Sequence, residues 1–173
     1  MIRRSHILTL MLLPLLAALA VAACGEPPII EPDQQGPDYK QNVIQANRYL
    51  SEREETNIKS YIERRGWTVR ELPCGARLFE IEKGSGSLLQ NDDSVRVTYS
   101  VEALDGTVIY SGRTETFMVG RLQPNEGVDA ALQVLRHGSR ASVVLPSSTA
   151  FGVVGDHDRI PPRTPVVYNI SVE

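Results

Sequence analysis

The sequence predicts an α+β domain, an antiparallel β-sheet curled over one short α-helix, with a helical extension in front of it. Two observations support this fold class. After Trp67, apolar and polar side chains alternate in several segments, which is typical of half-buried antiparallel strands. Among these segments lies a single short stretch in which apolar residues have helical spacing. A sheet covered by one helix satisfies both patterns.

Residues 1–23 have the three parts of an export signal. Arg3 and Arg4 form a basic start, residues 7–21 are an apolar run, and small side chains end the segment. The run contains Pro14 and is shorter than the roughly 20 apolar residues that a transmembrane helix needs. We therefore expect a signal peptide that is removed from the mature protein.

The signal ends at residues 21–24, which read VAAC and resemble the lipobox of bacterial lipoproteins. In a lipobox the cysteine is acylated and becomes the first mature residue, so Cys24 is the predicted lipid anchor. An ordinary secretory signal with an incidental cysteine is the alternative. Gly25 resembles outer-membrane sorting, which predicts attachment to the outer membrane of a bacterial envelope, facing the periplasm. Lipid on Cys24 would leave Cys74 as a lone, partly buried thiol.

The composition argues against several classes of function. Loss of Arg3 and Arg4 reduces the 18 basic residues to 16, against 21 acidic ones, a formal charge of −5. Arg residues alternate with Glu instead of forming a basic block, so we expect no nucleic-acid partner. The sequence has no phosphate loop, dinucleotide fingerprint or zinc-ligand spacing, and we expect no metal and no cofactor. Residues 156–158, which read DHD, are predicted to be a solvated loop because no further ligand lies near them.

Two segments connect the predicted anchor to the predicted domain. Residues 24–38 are rich in proline and lack the periodicity of a packed element, which predicts a stiff linker. Residues 39–66 carry apolar stripes at helical spacing and predict a helical extension. Ser51 and Glu54 have the spacing of a capping box, which suggests two helices joined near Leu50. The apolar stripe is either a surface for self-association or the face that packs on its own domain.

Residues 67–173 are the predicted domain. A first strand includes Phe79, and residues 95–103 alternate as a half-buried strand. Asp105 and Gly106 then predict a hairpin turn into a strand at residues 108–110.

The second half of the domain completes the predicted sheet. Another strand is predicted near residues 116–119. Residues 128–135 carry apolar side chains at helical spacing and predict the short helix, which Gly138 stops. Strands at residues 140–145 and 166–172 follow.

The last quarter of the chain combines three features. Phe151 and a glycine form a turn, Ile160 precedes two prolines, and residues 166–172 form a closing strand. This order resembles the C-terminal half of FK506-binding-protein-type (FKBP) prolyl isomerases, and the resemblance extends upstream to about Gly75. It implies that the sheet wraps the helix to leave a shallow apolar pocket for a proline ring. Proline-containing polypeptides are the implied partners.

The resemblance assigns five residues to a catalytic pocket. Tyr99, Phe117 and Ile160 match lining residues of the family in identity. Tyr168 stands where the family usually has phenylalanine. Phe151 matches a pocket tyrosine and lacks its hydroxyl group.

Four further residues match substrate-binding positions and depart from the family pattern. Ile109 replaces a phenylalanine, and Tyr110 stands where the family has a pocket aspartate. Val128 occupies the place of the aromatic residue at the pocket floor. Asn125 stands where an apolar residue offers its backbone N–H to the substrate. The missing aspartate and tyrosyl hydroxyl predict a more apolar pocket.

The resemblance implies a peptidyl-prolyl cis-trans isomerase that helps exported proteins fold in the bacterial envelope. Rotation about an X-Pro amide needs no nucleophile, acid or base, and its barrier is on the order of 20 kcal/mol. The pocket departures predict weakened activity, and a non-catalytic FKBP-like chaperone or protein-interaction module is the alternative. Residues 62–67 resemble the extension of lipid-anchored FKBP proteins associated with gliding motility in some Gram-negative bacteria.

Overall fold

The computed structural model describes residues 36–173. The predicted signal at residues 1–23, the lipid anchor Cys24 and the linker up to residue 35 lie outside the described residues. Within the described part, no helix is both long and apolar enough to cross a membrane.

Helix α1 spans Pro37–Arg65 without interruption, so the predicted junction near Leu50 is wrong. The segment around Leu50 contains neither glycine nor proline, and nothing in its backbone chemistry requires a break. Glu54 does not form the predicted capping box, because its carboxylate binds Ser147 far along the chain. The helix also begins two residues before the predicted start of the extension.

Six antiparallel strands form one sheet in the order β1-β2-β5-β6-β3-β4. Their bounds are β1 Arg70–Glu71, β2 Arg77–Glu82, β3 Ser94–Ala103, β4 Val108–Met118, β5 Arg140–Leu145 and β6 Val166–Val172. The predicted fold class is thereby confirmed. The hairpin at Asp105 and Gly106 joins β3 to β4 as predicted.

The two short strands predicted on either side of residue 112 are one continuous strand, β4. Tyr99 pairs with Arg113 and Val101 pairs with Tyr110, so β4 holds one extra residue at this point. Gly112 lies in this bulge with φ +63°, a conformation that glycine adopts without strain. The bulge is adjacent to Tyr110 and changes the local direction of the strand that carries this side chain.

Helix α2 spans Glu126–Leu132 and packs in the hollow of the sheet. It is shorter than predicted, although Leu135 remains buried beyond its end. Its N-cap is Asn125, whose side-chain oxygen accepts the Val128 N–H at 3.0 Å. A side-chain oxygen at this position satisfies one of the helix's unpaired N–H groups.

The sheet is covered on both faces. Val143 belongs to the main core around α2, whereas its neighbour Val144 packs with Ile58 and Tyr61 of α1. Successive residues of a strand point to opposite faces, so the second half of α1 covers the face opposite α2. The interpretation in which the extension packs on its own domain thus holds for this half. Cys74 is half-buried beside the main core.

Candidate active site

The predicted pocket residues meet in and around the main core. Tyr99, Tyr110, Phe117, Val128, Ile160 and Tyr168 are buried members of the core, and Ile109 and Phe151 are partly buried against it. Tyr99 is at the centre of the aromatic residues. Its ring centroid lies 5.9 Å from that of Phe117 and 5.5 Å from that of Tyr168. These three rings form an apolar wall supplied by β3, β4 and β6.

The Tyr99 hydroxyl donates a hydrogen bond to Glu115 Oε1 at 2.6 Å. Burial and this bond raise the pKa of Tyr99 to about 12. Glu115 lies two residues before Phe117 on β4, and its exposed carboxylate marks the edge of the aromatic wall. Sequence reasoning missed Glu115, although the two-residue spacing from Phe117 places both side chains on the same face of β4.

The Tyr110 hydroxyl donates to two carboxylates from a distant loop. Asp156 is its close partner, and Asp158 lies at 3.1 Å. The hydrogen bond to Asp156, followed by burial, raises the pKa of Tyr110 to about 12. On the other side, the Arg113 guanidinium lies 3.9 Å from the centroid of the Tyr110 ring. Tyr110 is therefore held between a cation on its face and anions at its hydroxyl.

Asp156 also shapes the loop that carries Ile160. Its Oδ1 accepts the backbone N–H groups of Asp158, Arg159 and Ile160 at 3.0, 3.0 and 2.7 Å. Burial raises the pKa of the Asp156 carboxyl, but the bonds from Tyr110 and the three amides outweigh it and leave the pKa below its ordinary value. One carboxylate thus connects the loop to β4.

Close backbone packing also holds the loop around Ile160 in place. A side chain at Gly155 would overlap the carbonyl oxygen of Ile160, and Gly155 has φ +74°. Arg159 Nη1 donates to the carbonyl of Ile109 at 3.3 Å. Ile160 is consequently held beside the aromatic wall and is only 3% exposed.

Two expectations from the sequence can be compared with these contacts. His157 and Asp158 are exposed, as expected for a solvated loop, but the carboxylates of Asp156 and Asp158 also bind Tyr110, which the sequence does not predict. The predicted shift to a more apolar pocket does not extend to Tyr110, because the Asp156 carboxylate lies at its hydroxyl. Across residues 36–173 no three His, Cys, Asp or Glu side chains converge as a group that could hold a metal ion.

The floor of the site is formed by Asn125 and Val128 at the start of α2, and Asn125 contacts Tyr168 of the aromatic wall. The Asn125 side-chain amide donates to the Tyr168 hydroxyl at 3.3 Å while its oxygen caps α2. Burial raises the pKa of Tyr168 above its ordinary value. Val128 is fully buried beneath this pair. The three tyrosine hydroxyls of the site therefore all have polar partners, as buried polar groups require.

Phe151 packs on the main core from the loop that follows β5. A short 3₁₀ turn, Ser147–Thr149, precedes it. The Gly152 N–H donates to the Ser147 carbonyl at 2.7 Å and closes the chain around Phe151. Gly152 has φ +65°, and Phe151 is half-buried against the core.

Known proteins are similar to this chain over more than half of its length. The chain is 34% identical over 111 residues to a probable FKBP-type 25 kDa peptidyl-prolyl cis-trans isomerase of Pseudomonas aeruginosa, with 64% of this chain and 48% of the relative covered. It is 32% identical over 105 residues to the outer membrane protein MIP of Legionella longbeachae, with 58% and 44% covered. The chain thus spans about half the length of the curated relatives it matches.

A solved structure extends the comparison to the fold. The crystal structure of a peptidyl-prolyl cis-trans isomerase from Pseudomonas syringae superposes with a TM-score of 0.61 at 28% identity, covering 72% of this chain and 92% of that one. Residues 86–173, half of the chain, match the family described as FKBP-type peptidyl-prolyl cis-trans isomerase. The chain therefore belongs to the FKBP-type peptidyl-prolyl cis-trans isomerase family.

Proposed function

We propose that this protein catalyses cis-trans isomerisation of X-Pro bonds in polypeptides. The observation that supports this most directly is the aromatic wall of Tyr99, Phe117 and Tyr168, which lies in one buried core cluster with Ile160 and is an apolar lining of the kind that receives a proline ring. The proposal also follows from family membership. The proposed substrates are proline-containing segments of polypeptides. Ile109 and Phe151, which are partly buried against the main core, would add apolar contacts to these segments.

The mechanism depends on desolvation and needs no covalent step. A planar amide is more dipolar than a twisted one, so water stabilises the ground state more than the transition state. A proline ring held against Tyr99 and Phe117 would have its amide partly removed from water, which favours rotation. At the floor, the backbone N–H of Asn125 is the donor we assign to the substrate carbonyl. Ile160 contributes apolar contact, since its own N–H is donated to Asp156.

The hydrogen bond from the Ile160 N–H to Asp156 favours a second candidate function. An amide that Asp156 already engages is not available to stabilise a twisted carbonyl, so the site offers fewer donors to a reacting bond. A non-catalytic chaperone or interaction module that binds proline-containing segments would need only the apolar wall. This candidate differs from the first in activity and not in ligand class.

Exchange NMR of an X-Pro peptide distinguishes the two candidates. With the chain from Gly25 onward, we expect faster cis-trans exchange at catalytic protein concentrations. Ile160→Ala should reduce the acceleration, whereas Leu122→Ala, which alters an exposed side chain, should not. An exchange rate that stays unchanged while the peptide binds would exclude the enzyme and leave the binding module.

The proposed location is the bacterial envelope. We propose that Cys24 carries lipid, that the anchor lies in the outer membrane facing the periplasm, and that the protein assists the folding of exported chains. The lipobox-like residues 21–24 support this, as does a relative named as an outer membrane protein. Labelled palmitate should enter the parent protein and not Cys24→Ser, and equal labelling of both would refute the anchor.

Self-association through residues 39–66 is a separate proposal. Ile58 and Tyr61 are buried by the domain, but Ile44, Tyr49 and Leu50 are exposed on the preceding turns of α1. Of these, Leu50 belongs to the apolar stripe of residues 43, 46 and 50, spaced as i, i+3 and i+7, and an exposed stripe of this kind is typical of a helix–helix surface. Sedimentation should show a dimer that Leu50→Glu dissociates, and a wild-type monomer at all concentrations would contradict this.

A further inference from the structure

The loop between β5 and β6 is attached to helix α1 near both of its ends. At its start, the Ser147 N–H and hydroxyl donate to the two carboxylate oxygens of Glu54 at 2.6 and 2.7 Å. Near its end, Arg163 Nη2 donates to Asn47 Oδ1 at 2.8 Å. The part of the loop between these attachments carries Phe151, Asp156 and Ile160, so the loop that forms one side of the site is held by α1.

The two attachment points lie on one face of the helix. Asn47 and Glu54 are seven residues apart, which is two helical turns. The intervening Leu50 lines a cavity of about 320 Å³ together with Val153 and Pro165 of the loop. The loop is therefore held at its ends and stands off from α1 between them.

Glu54 satisfies a backbone group that the loop itself leaves open. Pro146, the N-cap of the 3₁₀ turn, makes no side-chain capping bond. The Ser147 N–H would lack a protein partner without the Glu54 carboxylate, which acts as a cap supplied by another element. A hydrogen bond to a charged acceptor is also stronger than one to a neutral group.

A short series of backbone bonds connects this cap to Phe151. The Ser147 carbonyl accepts the Gly152 N–H at 2.7 Å, and the Gly152 carbonyl accepts the Arg163 N–H at 2.9 Å. The residues that contact α1 thus also fix the backbone on the C-terminal side of Phe151. A change at Glu54 can reach the site through two hydrogen bonds.

We propose that Glu54 and Asn47 are positioning residues of the isomerase site and that α1 is the support that sets the geometry of its loop. This inference deepens the proposed function, and its effect on catalysis rests on that function. Neither residue touches the aromatic wall, so both act through Ser147 and Arg163. A partner that bends or displaces α1 would alter the site by the same route.

Amide hydrogen exchange in the full chain tests the positioning without substrate. In Glu54→Ala we expect the Gly152 and Arg163 amides, which do not contact Glu54, to exchange roughly tenfold faster. The matched control is Glu63→Ala, an exposed acid on the same helix. Equal exchange in the two variants would overturn the proposal. So would an equal acceleration of the Val97 amide in β3, because that would indicate global destabilisation.

Rescue and kinetics complete the test. Glu54→Gln keeps a side-chain oxygen for the Ser147 N–H and should restore most of the protection. Glu54→Ala should raise KM for an X-Pro peptide more than it lowers kcat, because the loop then costs more to order on binding. An inactive wild type with a protected loop would count against the proposed function and leave the positioning role intact. An active wild type whose kinetics Glu54→Ala does not change would overturn the positioning role.

Discussion

At the scale of single residues, the site depends on carboxylates that reach tyrosines from elsewhere in the chain. Asp156 binds the Tyr110 hydroxyl from 46 positions away, and Glu115 binds that of Tyr99. The resemblance to the family predicts an aspartate at position 110, where this chain has a tyrosine. The hydroxyl of this tyrosine binds the Asp156 carboxylate, so a carboxylate still lies beside residue 110.

Asp156→Ala should lower kcat/KM for an X-Pro peptide by about tenfold or more, since three backbone N–H groups and one hydroxyl lose a charged acceptor. Asp158→Ala removes a single longer bond to Tyr110 and serves as the control. A peptide isomerisation assay measures both. Equal losses in the two variants would contradict the central role of Asp156 in the loop.

The lowered pKa of Asp156 makes part of the stability dependent on pH. A carboxyl with a depressed folded pKa stabilises the fold above its unfolded pKa, about 4, and this stabilisation is lost as the pH falls through the folded value. The difference in unfolding free energy between wild type and Asp156→Asn should therefore be largest near neutral pH and shrink in acid. Denaturant titrations over the pH range measure it, and a difference that is constant with pH would contradict the assignment.

Restoring the family's aspartate at position 110 should not improve the site. Tyr110→Asp would remove the hydroxyl donor that Asp156 and Asp158 share, and its own shorter carboxylate would add a third negative charge to this region. Tyr110→Asn, of the same size and neutral, is the matched control. We expect the Asp variant to have the lower melting temperature and the weaker activity at pH 7, and a reversed order would exclude the repulsion.

Sequence reasoning could identify the site residues and not their electrostatics. Tyr99, Phe117 and Ile160 stand in motifs that a single sequence can match to a family. The partnership of Tyr110 with Asp156 has no local signature, because it forms only when the loop folds back onto β4. From the sequence alone, the tyrosine at position 110 therefore predicts the loss of a carboxylate from the site. In the structure, Asp156 supplies a carboxylate there.

At the scale of elements, the sequence predicts α1 least accurately. Its apolar stripe indicates a helix, but the capping-box spacing of Ser51 and Glu54 predicts a break near Leu50 that the helix does not have. The Glu54 carboxylate instead binds Ser147, 93 residues away. A side chain in a local capping motif can instead bind a residue distant in sequence, and Glu54 binds Ser147 in this way.

The attachment of α1 to the sheet includes a partly buried ion pair. Arg77 of β2 donates to both oxygens of Glu55 at 2.7 and 2.8 Å, and its side chain is only 10% exposed. Glu55→Ala should lower the unfolding free energy by about 1–3 kcal/mol, because it leaves the guanidinium poorly solvated and short of a partner. Glu63→Ala should change it little. Denaturant unfolding of both variants checks this, and equal values would show that the pair contributes nothing.

At the scale of the whole molecule, the antiparallel sheet, the short helix and the hairpin followed from periodicity and turn chemistry. What periodicity could not show is that both faces of β5 and β6 are covered. A strand with buried residues on both faces appears in the sequence as an uninterrupted apolar run. Such a run does not distinguish a strand from a buried helix. The neighbours of Val143 and Val144 come from α2 and α1, and their arrangement depends on contacts distant in sequence.

The single tryptophan offers a test of cooperativity. Trp67 stacks on Phe79 with ring centroids 4.7 Å apart and meets Tyr61 of α1 edge-on at 5.7 Å. Its fluorescence therefore reports the face covered by α1, whereas three of the six tyrosines, Tyr99, Tyr110 and Tyr168, lie in the main core and contribute to the tyrosine near-ultraviolet circular dichroism. We expect the two denaturant transitions to coincide. Separate midpoints would mean that α1 detaches before the site unfolds.

The position of β6 has a consequence for the timing of folding. This strand is the last in chain order, yet it lies between β5 and β3. Until residues 166–172 have been synthesised, the sheet consists of two unjoined parts, β1-β2-β5 and β3-β4. Pairings between distant segments form slowly, and here they wait for the final strand. A chain that emerges from the ribosome N-terminus first would thus be unable to close its sheet before its final strand is available.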